Sequence, residues 1–324
     1  MTNDLKGLIS LINKRLEDFF YGDQPTELYE PIRYIMSLGG KRLRPVLVLL
    51  SYQLFKDDPE EILDQAIAVE VFHNFTLMHD DIMDDAPLRR GQQTVHEKWN
   101  SSTAILSGDV MLVKAYDILL NARGDLRKII KAFNHCAAGV CEGQQFDMNF
   151  ETESTVTESD YINMIRLKTA VLLGFSLQLG AMLAEEDEST TKALYEFGVD
   201  IGIGFQLKDD LLDVYADQDK FGKQVGGDII SNKKTFLLLK ALELANDEQK
   251  NTLLHWLSLT EFDASQKVEV VTHIYNEIGI RELTLAKMNE YFEKGFHALD
   301  QIDVPEERKA ALKEFAQYLI DRDR

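Results

Sequence analysis

Apolar residues along this chain recur at intervals of three and four. Leu5, Leu8, Ile9, Ile12, Leu16 and Phe19 follow that spacing, as do Ile62, Ala66, Val69, Phe72 and Leu77. This is the period of an amphipathic helix. Period-two alternation, the mark of a half-buried strand, is hard to find anywhere. Helical segments of roughly ten to thirty residues are separated by short polar breaks at 21–26, 56–60, 86–94, 151–158, 185–189 and 217–232. No break is Gly/Ser-rich like a flexible linker. The pattern therefore predicts one all-α domain over residues 1–324. The most continuous apolar run, Ala170–Ala184, is interrupted by Ser176 and Gln178. It falls short of the ~20 residues a membrane-spanning helix needs, so a buried helix is expected there. The tail from Asp247 onward reads as amphipathic packing helices without a chemical motif.

Composition narrows the function. Of 324 residues, 45% are hydrophobic, enough for a large core, and only 6 are proline. The net charge of −20 repels nucleic acid and anionic lipid surfaces. Basic residues that converge in such a chain need a local anion. The two cysteines, Cys136 and Cys141, lack the second pair a zinc site requires and are expected to be buried helix thiols. With no apolar leader at the start of the sequence, a reducing, cytoplasmic setting is expected.

Two acidic clusters stand out. In His79-Asp80-Asp81-Ile82-Met83-Asp84-Asp85, the residues Asp80 and Asp84 lie four apart on one helix face. Like charges at that spacing are destabilising unless a cation sits with them. Mg²⁺ takes oxygen ligands, typically one or two carboxylates and a substrate phosphate. A single such cluster is weak, because most acidic runs are merely solvated. Gln206-Leu207-Lys208-Asp209-Asp210-Leu211-Leu212-Asp213 repeats the spacing, with Asp209 and Asp213 on one face and Gln206 a turn upstream. Two clusters some 130 residues apart, each following an apolar run, suggest facing helices that clamp metal ions. A calcium loop at Asp217–Asp228 is discounted, because it lacks the third Asp/Asn and the final Glu.

Basic motifs flank these clusters. Gly39-Gly40-Lys41-Arg42-Leu43-Arg44-Pro45 combines a flexible backbone with three cations, a candidate phosphate grip. Arg89 and Arg90 follow the first cluster and can fork onto phosphate oxygens. Lys168-Thr169 opens the apolar run, Lys223 lies ten residues after Asp213, and Lys233-Lys234 closes the 217–232 break. Each alone could be an ordinary surface cation; grouped around two carboxylate clusters they point to a diphosphate.

Together and in this order, these motifs resemble the trans-isoprenyl diphosphate synthases, the polyprenyl synthetase family, over about Leu38–Leu239. The resemblance implies an all-α, single-domain helical bundle of the isoprenoid synthase type with a central active-site cavity. It further implies a Mg²⁺-dependent, homodimeric enzyme joining isopentenyl diphosphate head to tail with an allylic diphosphate. Lys41, Arg44, His73 and Arg90 match positions that bind isopentenyl diphosphate. Asp80, Asp84 and Asp209 match metal ligands. Arg89, Lys168, Lys223 and Lys233 match groups that hold the allylic diphosphate, with Lys234 the alternative to Lys233. Thr169 and Gln206 match positions facing the reacting carbon, and Gln144 and Asp147 match pocket residues. Gln224 departs from the family, where proline is common. Phe75 and Thr76, the fifth and fourth residues before Asp80, match the positions that limit product length. An aromatic followed by a small residue resembles archaeal-type geranylgeranyl synthases, so C20 is expected first and C15 second, although an ideal helical wheel places Thr76 closer than Phe75 to the Asp80 face. His79 and His96 have no chemical role in this reading.

Two rivals remain. A class I terpene cyclase also ionises a diphosphate at an aspartate-rich motif, but has no use for Lys41, Arg44, His73 and Arg90. A non-catalytic subunit of a heteromeric synthase would be expected to have lost carboxylates or cations, and this chain retains both sets.

Overall fold

The computed structural model describes residues 3–216 and 226–321. Residues 217–225, with Lys223, Gln224 and most of the discounted calcium loop, lie outside the described residues. The described chain is helical nearly throughout. It forms two compact units, one of residues 1–135, 175–195 and 302–312, the other of residues 136–174, 196–301 and 313–324.

The first unit opens with α1 (Asn3–Asp18), α2 (Thr26–Ser37) and α3 (Leu43–Gln53). The long helix α4 (Leu63–Met83) is entered through a 3₁₀ turn, Pro59–Ile62. The Asp58 carboxylate accepts from Glu60 N at 3.1 Å, and Pro59 occupies the first turn, where its missing N–H costs nothing. Helix α4 packs on α1, α3 and α6 (Ser101–Leu119), which explains why it is apolar on most of its circumference. Phe72 is fully buried and meets Phe133 edge-on at 5.1 Å between centroids. Truncating it to alanine should cost about 3–5 kcal/mol, from lost transfer energy and the cavity left behind.

Between α4 and α6 runs a small hairpin, β1 (Leu88–Arg89) and β2 (Gln92–Gln93), followed by α5 (Val95–Lys98). The sequence pattern predicts only a break here, because two-residue strands are too short to show alternation. A second departure is the turn at 120–125, whose Asn121, Gly124 and Asp125 are ordinary turn residues.

Helices α7 (Leu126–Thr152), α8 (Glu158–Ile165), α9 (Val171–Leu183) and α10 (Glu188–Tyr215) follow. Thr157 and Asp160 form a capping box that starts α8. A π-helical turn, Arg166–Ala170, joins α8 to α9. The span Glu158–Leu183 is long and apolar enough to cross a membrane, yet 78% of its most apolar window is buried. It is the core helix that the apolar run predicts. The expectation for the cysteines holds for Cys136, which is buried, and is corrected for Cys141, which is exposed on α7.

The second unit continues with α11 (Gly227–Ile230), α12 (Phe236–Leu244), α13 (Asp247–Ser258), α14 (Ala264–Ile278) and α15 (Ile280–Asp300); α16 (Glu306–Asp321) ends the described chain. Leu211, Val214, Ile229, Leu237, Leu253, Val271, Ile274 and Tyr275 form one core there. Asn246 with Gln249, and Asp263 with Gln266 N, cap α13 and α14, and Gly279 at φ 81° ends α14. The tail beyond Asp247 is thus packing helix, as its periodicity predicts.

Candidate active site

The first unit assembles a cationic group on an acidic protein. The Arg44 guanidinium lies 3.0 Å from His73 Nε2. Arginine can only donate, so Nε2 must accept and is unprotonated. Burial, then the fields of Arg44, Arg90, Arg89 and Arg42, hold His73 well below the usual histidine range. Arg90 Nη1 donates to the Gly39 carbonyl. At Gly40 (φ 136°) a Cβ would fall 2.9 Å from that same guanidinium. Glycine is therefore needed both for the backbone and for the approach of Arg90. Lys41 is exposed beside it.

The three cations after the glycines do not form one patch. Arg42, at φ 52°, turns inward and is 5% exposed. It bonds Glu70 Oε1 at 2.7 Å, Met36 O at 3.1 Å and Asn13 Oδ1 at 3.0 Å. It anchors the loop and leaves Lys41 and Arg44 outside.

In the first acidic cluster, Asp84 caps α4 and its N–H bonds Asp80 O at 2.9 Å, which sets the two residues one turn apart. Asp81, buried, accepts a fork from Arg89 at 2.7–2.9 Å. The sequence puts Arg89 near the cluster; the structure adds that Asp81 holds it. The same helix carries a ladder of rings, with Phe72–Phe75 centroids 5.6 Å and Phe75–His79 4.8 Å apart. Thr76 is half-buried, its hydroxyl on His73 O.

The second unit builds its site around the π turn. Such turns widen a helix by one residue and often mark functional positions. This one presents Lys168 and Thr169 together. A Cβ on Gly143 would fall 2.2 Å from Lys168 N, so α7 approaches the turn only because that residue is glycine. Lys168 Nζ meets Asp147 Oδ2 at 2.5 Å. Gln144 is 7% exposed with both amide atoms unpartnered. A buried amide without protein partners is costly, so water or a bound group must satisfy it.

Thr169 Oγ1 donates to Gln206 Oε1 at 3.2 Å, and Gln206 Nε2 donates to Asp210 Oδ1 at 3.0 Å. The fully buried Tyr161 donates its hydroxyl to Asp210 Oδ2. Asp213 accepts from Asp228 N at 2.9 Å. Burial pushes Asp210 and Asp228 upward, the nearby carboxylates add to it, and Lys233 opposes it. Lys234 instead donates to the Phe150 carbonyl at the end of α7. Of the two lysines, Lys233 therefore acts on the carboxylates. Tyr161 and Asp228 were not legible as site residues. In sequence Asp228 only ends the discounted calcium loop, and nothing marks Tyr161 except its fold.

The donor sets suit Mg²⁺. Asp80 with Asp84 and Asp209 with Asp213 offer only carboxylate oxygens, each pair one helical turn apart.

The sequence profile of the family described as Polyprenyl synthetase matches residues 25–278. A geranylgeranyl pyrophosphate synthase of Geoglobus acetivorans is 38% identical, with 98% of each chain covered. A geranylgeranyl diphosphate synthase of Methanosarcina mazei is 35% identical over all of this chain and 98% of its own. Among solved structures, a geranylgeranyl pyrophosphate synthase superposes with a TM-score of 0.94 at 42% identity, covering 99% of both chains. Family match, full-length relatives and fold agree: this chain belongs to the polyprenyl synthetase family of trans-prenyltransferases.

Proposed function

We propose that this enzyme condenses isopentenyl diphosphate with allylic diphosphates to make geranylgeranyl diphosphate, C20, as one prenyltransferase domain acting in the cytoplasm as a homodimer. The cluster of Arg44, Arg89 and Arg90 about a neutral His73, on a chain of net charge −20, carries the diphosphate reading. The C20 product is supported by full-length relatives named for it. Four of the five unit boundaries fall inside helices, in α7, α9, α10 and α16, which favours one domain.

Lys41, Arg44, His73 and Arg90 bind isopentenyl diphosphate, the arginines by charge-assisted hydrogen bonds. Arg89, Lys168, Lys233 and Lys223 hold the allylic diphosphate. Asp80, Asp84 and Asp209 hold Mg²⁺. Bound Mg²⁺ supplies charge that neutralises the leaving diphosphate. Arg89 and Lys168 stabilise the same developing charge as the allylic C–O bond breaks. Thr169 Oγ1 and Gln206 Oε1 face the resulting cation, oriented by the bonds to Asp210 and Tyr161. The alkene of isopentenyl diphosphate attacks that cation. One proton then leaves to the released diphosphate, so no enzyme nucleophile is needed. Phe75, with Thr76, closes the space available to the growing chain.

Incubating the purified chain with isopentenyl diphosphate and dimethylallyl, geranyl or farnesyl diphosphate, followed by product mass analysis, tests this. C20 is expected. Product from an allylic diphosphate alone would mean a terpene cyclase instead, and no product from the chain by itself would mean a non-catalytic subunit.

A further inference from the structure

At the foot of the hairpin that carries Arg89 and Arg90, a histidine and two carboxylates converge. None of them has a part in the reading above. The His96 side chain is 5% exposed, and both its ring nitrogens are buried without a hydrogen-bond partner. Buried polar atoms of this kind are costly and uncommon. His96 Nε2 points at Glu97 Oε1, 3.6 Å away, and at Asp85 Oδ1, 3.9 Å away. Both separations are too long for a hydrogen bond. One donor atom from each of the three residues lies within 4.8 Å of the others.

We infer that Asp85, His96 and Glu97 bind a borderline divalent cation, of the Zn²⁺ or Co²⁺ class, at the base of this hairpin. Ligand bonds of about 2.0–2.2 Å to N and O place neighbouring donors roughly 3.0–3.5 Å apart. The separations from Nε2, 3.6 and 3.9 Å, need to contract by under about 1 Å, and the carboxylate pair, within 4.8 Å, by at most about 1.8 Å. Asp85, 97% exposed at its side chain, and Glu97, 46% exposed, have room to do so. The framework beneath them is already fixed. Buried Thr94 donates through Oγ1 to Ala86 O at 2.7 Å and through N to Pro87 O at 3.2 Å. Leu88 pairs with Gln93 just beyond. Residues 85 and 96 are therefore held as neighbours before any ion arrives.

The donor chemistry separates this site from the Mg²⁺ ligands proposed above. Imidazole suits Zn, Cu, Fe and Ni, whereas Mg²⁺ and Ca²⁺ prefer oxygen alone. One histidine and two carboxylates also leave a coordination position for water. An ion here would cross-link the two ends of the hairpin and stiffen the segment that presents Arg89 and Arg90.

The test is independent of catalysis. The full-length chain, stripped of metal and free of diphosphate, is titrated with Co²⁺ and followed by its visible d–d absorption. One equivalent is expected to bind, with Zn²⁺ displacing it and excess Mg²⁺ failing to. Asp85→Asn and His96→Gln should each weaken binding by at least about 100-fold, since even outer-shell partners are worth 10–100-fold. Asp80→Asn should leave it in place. Because His96→Gln alters a buried ring and could unfold the chain, the surface variant Asp85→Asn carries the test alone, with circular dichroism confirming its fold. Absence of the absorption, its survival in Asp85→Asn, or its loss in Asp80→Asn would overturn the site.

Discussion

At the residue scale, charge placed against burial sets what each group can do. Asp80 and Asp209 are proposed as metal ligands, so Asp80→Ala and Asp209→Ala should each cut turnover by several orders of magnitude while leaving circular dichroism unchanged. Metal-stabilised charge is worth several kcal/mol, and neither change leaves a cavity in the core. Near-normal turnover in both variants would end the Mg²⁺ reading. His73 gives a pH prediction. Burial and the neighbouring arginines hold its folded pKa well below the ordinary value. As pH falls below about 6.5, the unfolded chain takes up this proton and the folded chain does not. The group therefore favours unfolding progressively as the solution turns acid, and it has no effect above that range. In His73→Asn, denaturant titrations at several pH values should show a shallower acid loss of stability. An unchanged slope would mean that His73 titrates normally.

At the element scale, function depends on how closely helices approach. Helix α7 meets the π turn at Gly143, where an added Cβ has no space before the Lys168 backbone. Gly143→Ala should shift the turn that carries Lys168 and Thr169. A displacement near 1 Å in a catalytic constellation can lower kcat about 100-fold, while overpacking of this kind costs about 1–3 kcal/mol of stability. Steady-state kinetics beside thermal unfolding would show both; full activity would mean that the turn tolerates the methyl. Helix α4 offers the second case. Phe75 stacks between Phe72 and His79. If it is the floor of the product cavity, Phe75→Ala should lengthen the product by at least one C5 unit by mass. An unchanged product distribution would leave Phe75 as core alone.

At the scale of the whole molecule, one face of α6 is left without a partner among the described residues. Leu106, Val113 and Leu120 recur at seven-residue spacing and are 54–58% exposed. Ile105, 45% exposed, widens the stripe. A heptad of exposed apolar residues on a chain of net charge −20 fits a second copy of the same helix. If the proposed homodimer forms through this face, Leu106→Glu with Val113→Glu should yield a monomer in sedimentation equilibrium where the wild type is a dimer. A wild-type monomer at micromolar concentration would contradict the homodimer directly.

Periodicity by itself determined the helices, because a three-to-four spacing of apolar side chains has no other way to hide one face from water. It also placed Asp80 with Asp84, and Asp209 with Asp213, since i,i+4 neighbours share a face in any α-helix. What it could not supply was orientation in space. Arg42, Lys41 and Arg44 are near neighbours in sequence, yet a left-handed backbone at Arg42 drives that side chain onto Glu70, 28 positions away, and keeps it apart from the other two cations. Lys233 and Lys234 are adjacent, and only packing sends one to the carboxylates and the other to the end of α7. Tyr161 is an unremarked tyrosine until folding buries it against Asp210, 49 residues on. Each of these outcomes turns on a long-range contact in a low-dielectric interior, where a polar group must find a particular partner or go unpaired. Local pattern encodes which face of a helix is buried; the tertiary structure alone decides what that face is buried against.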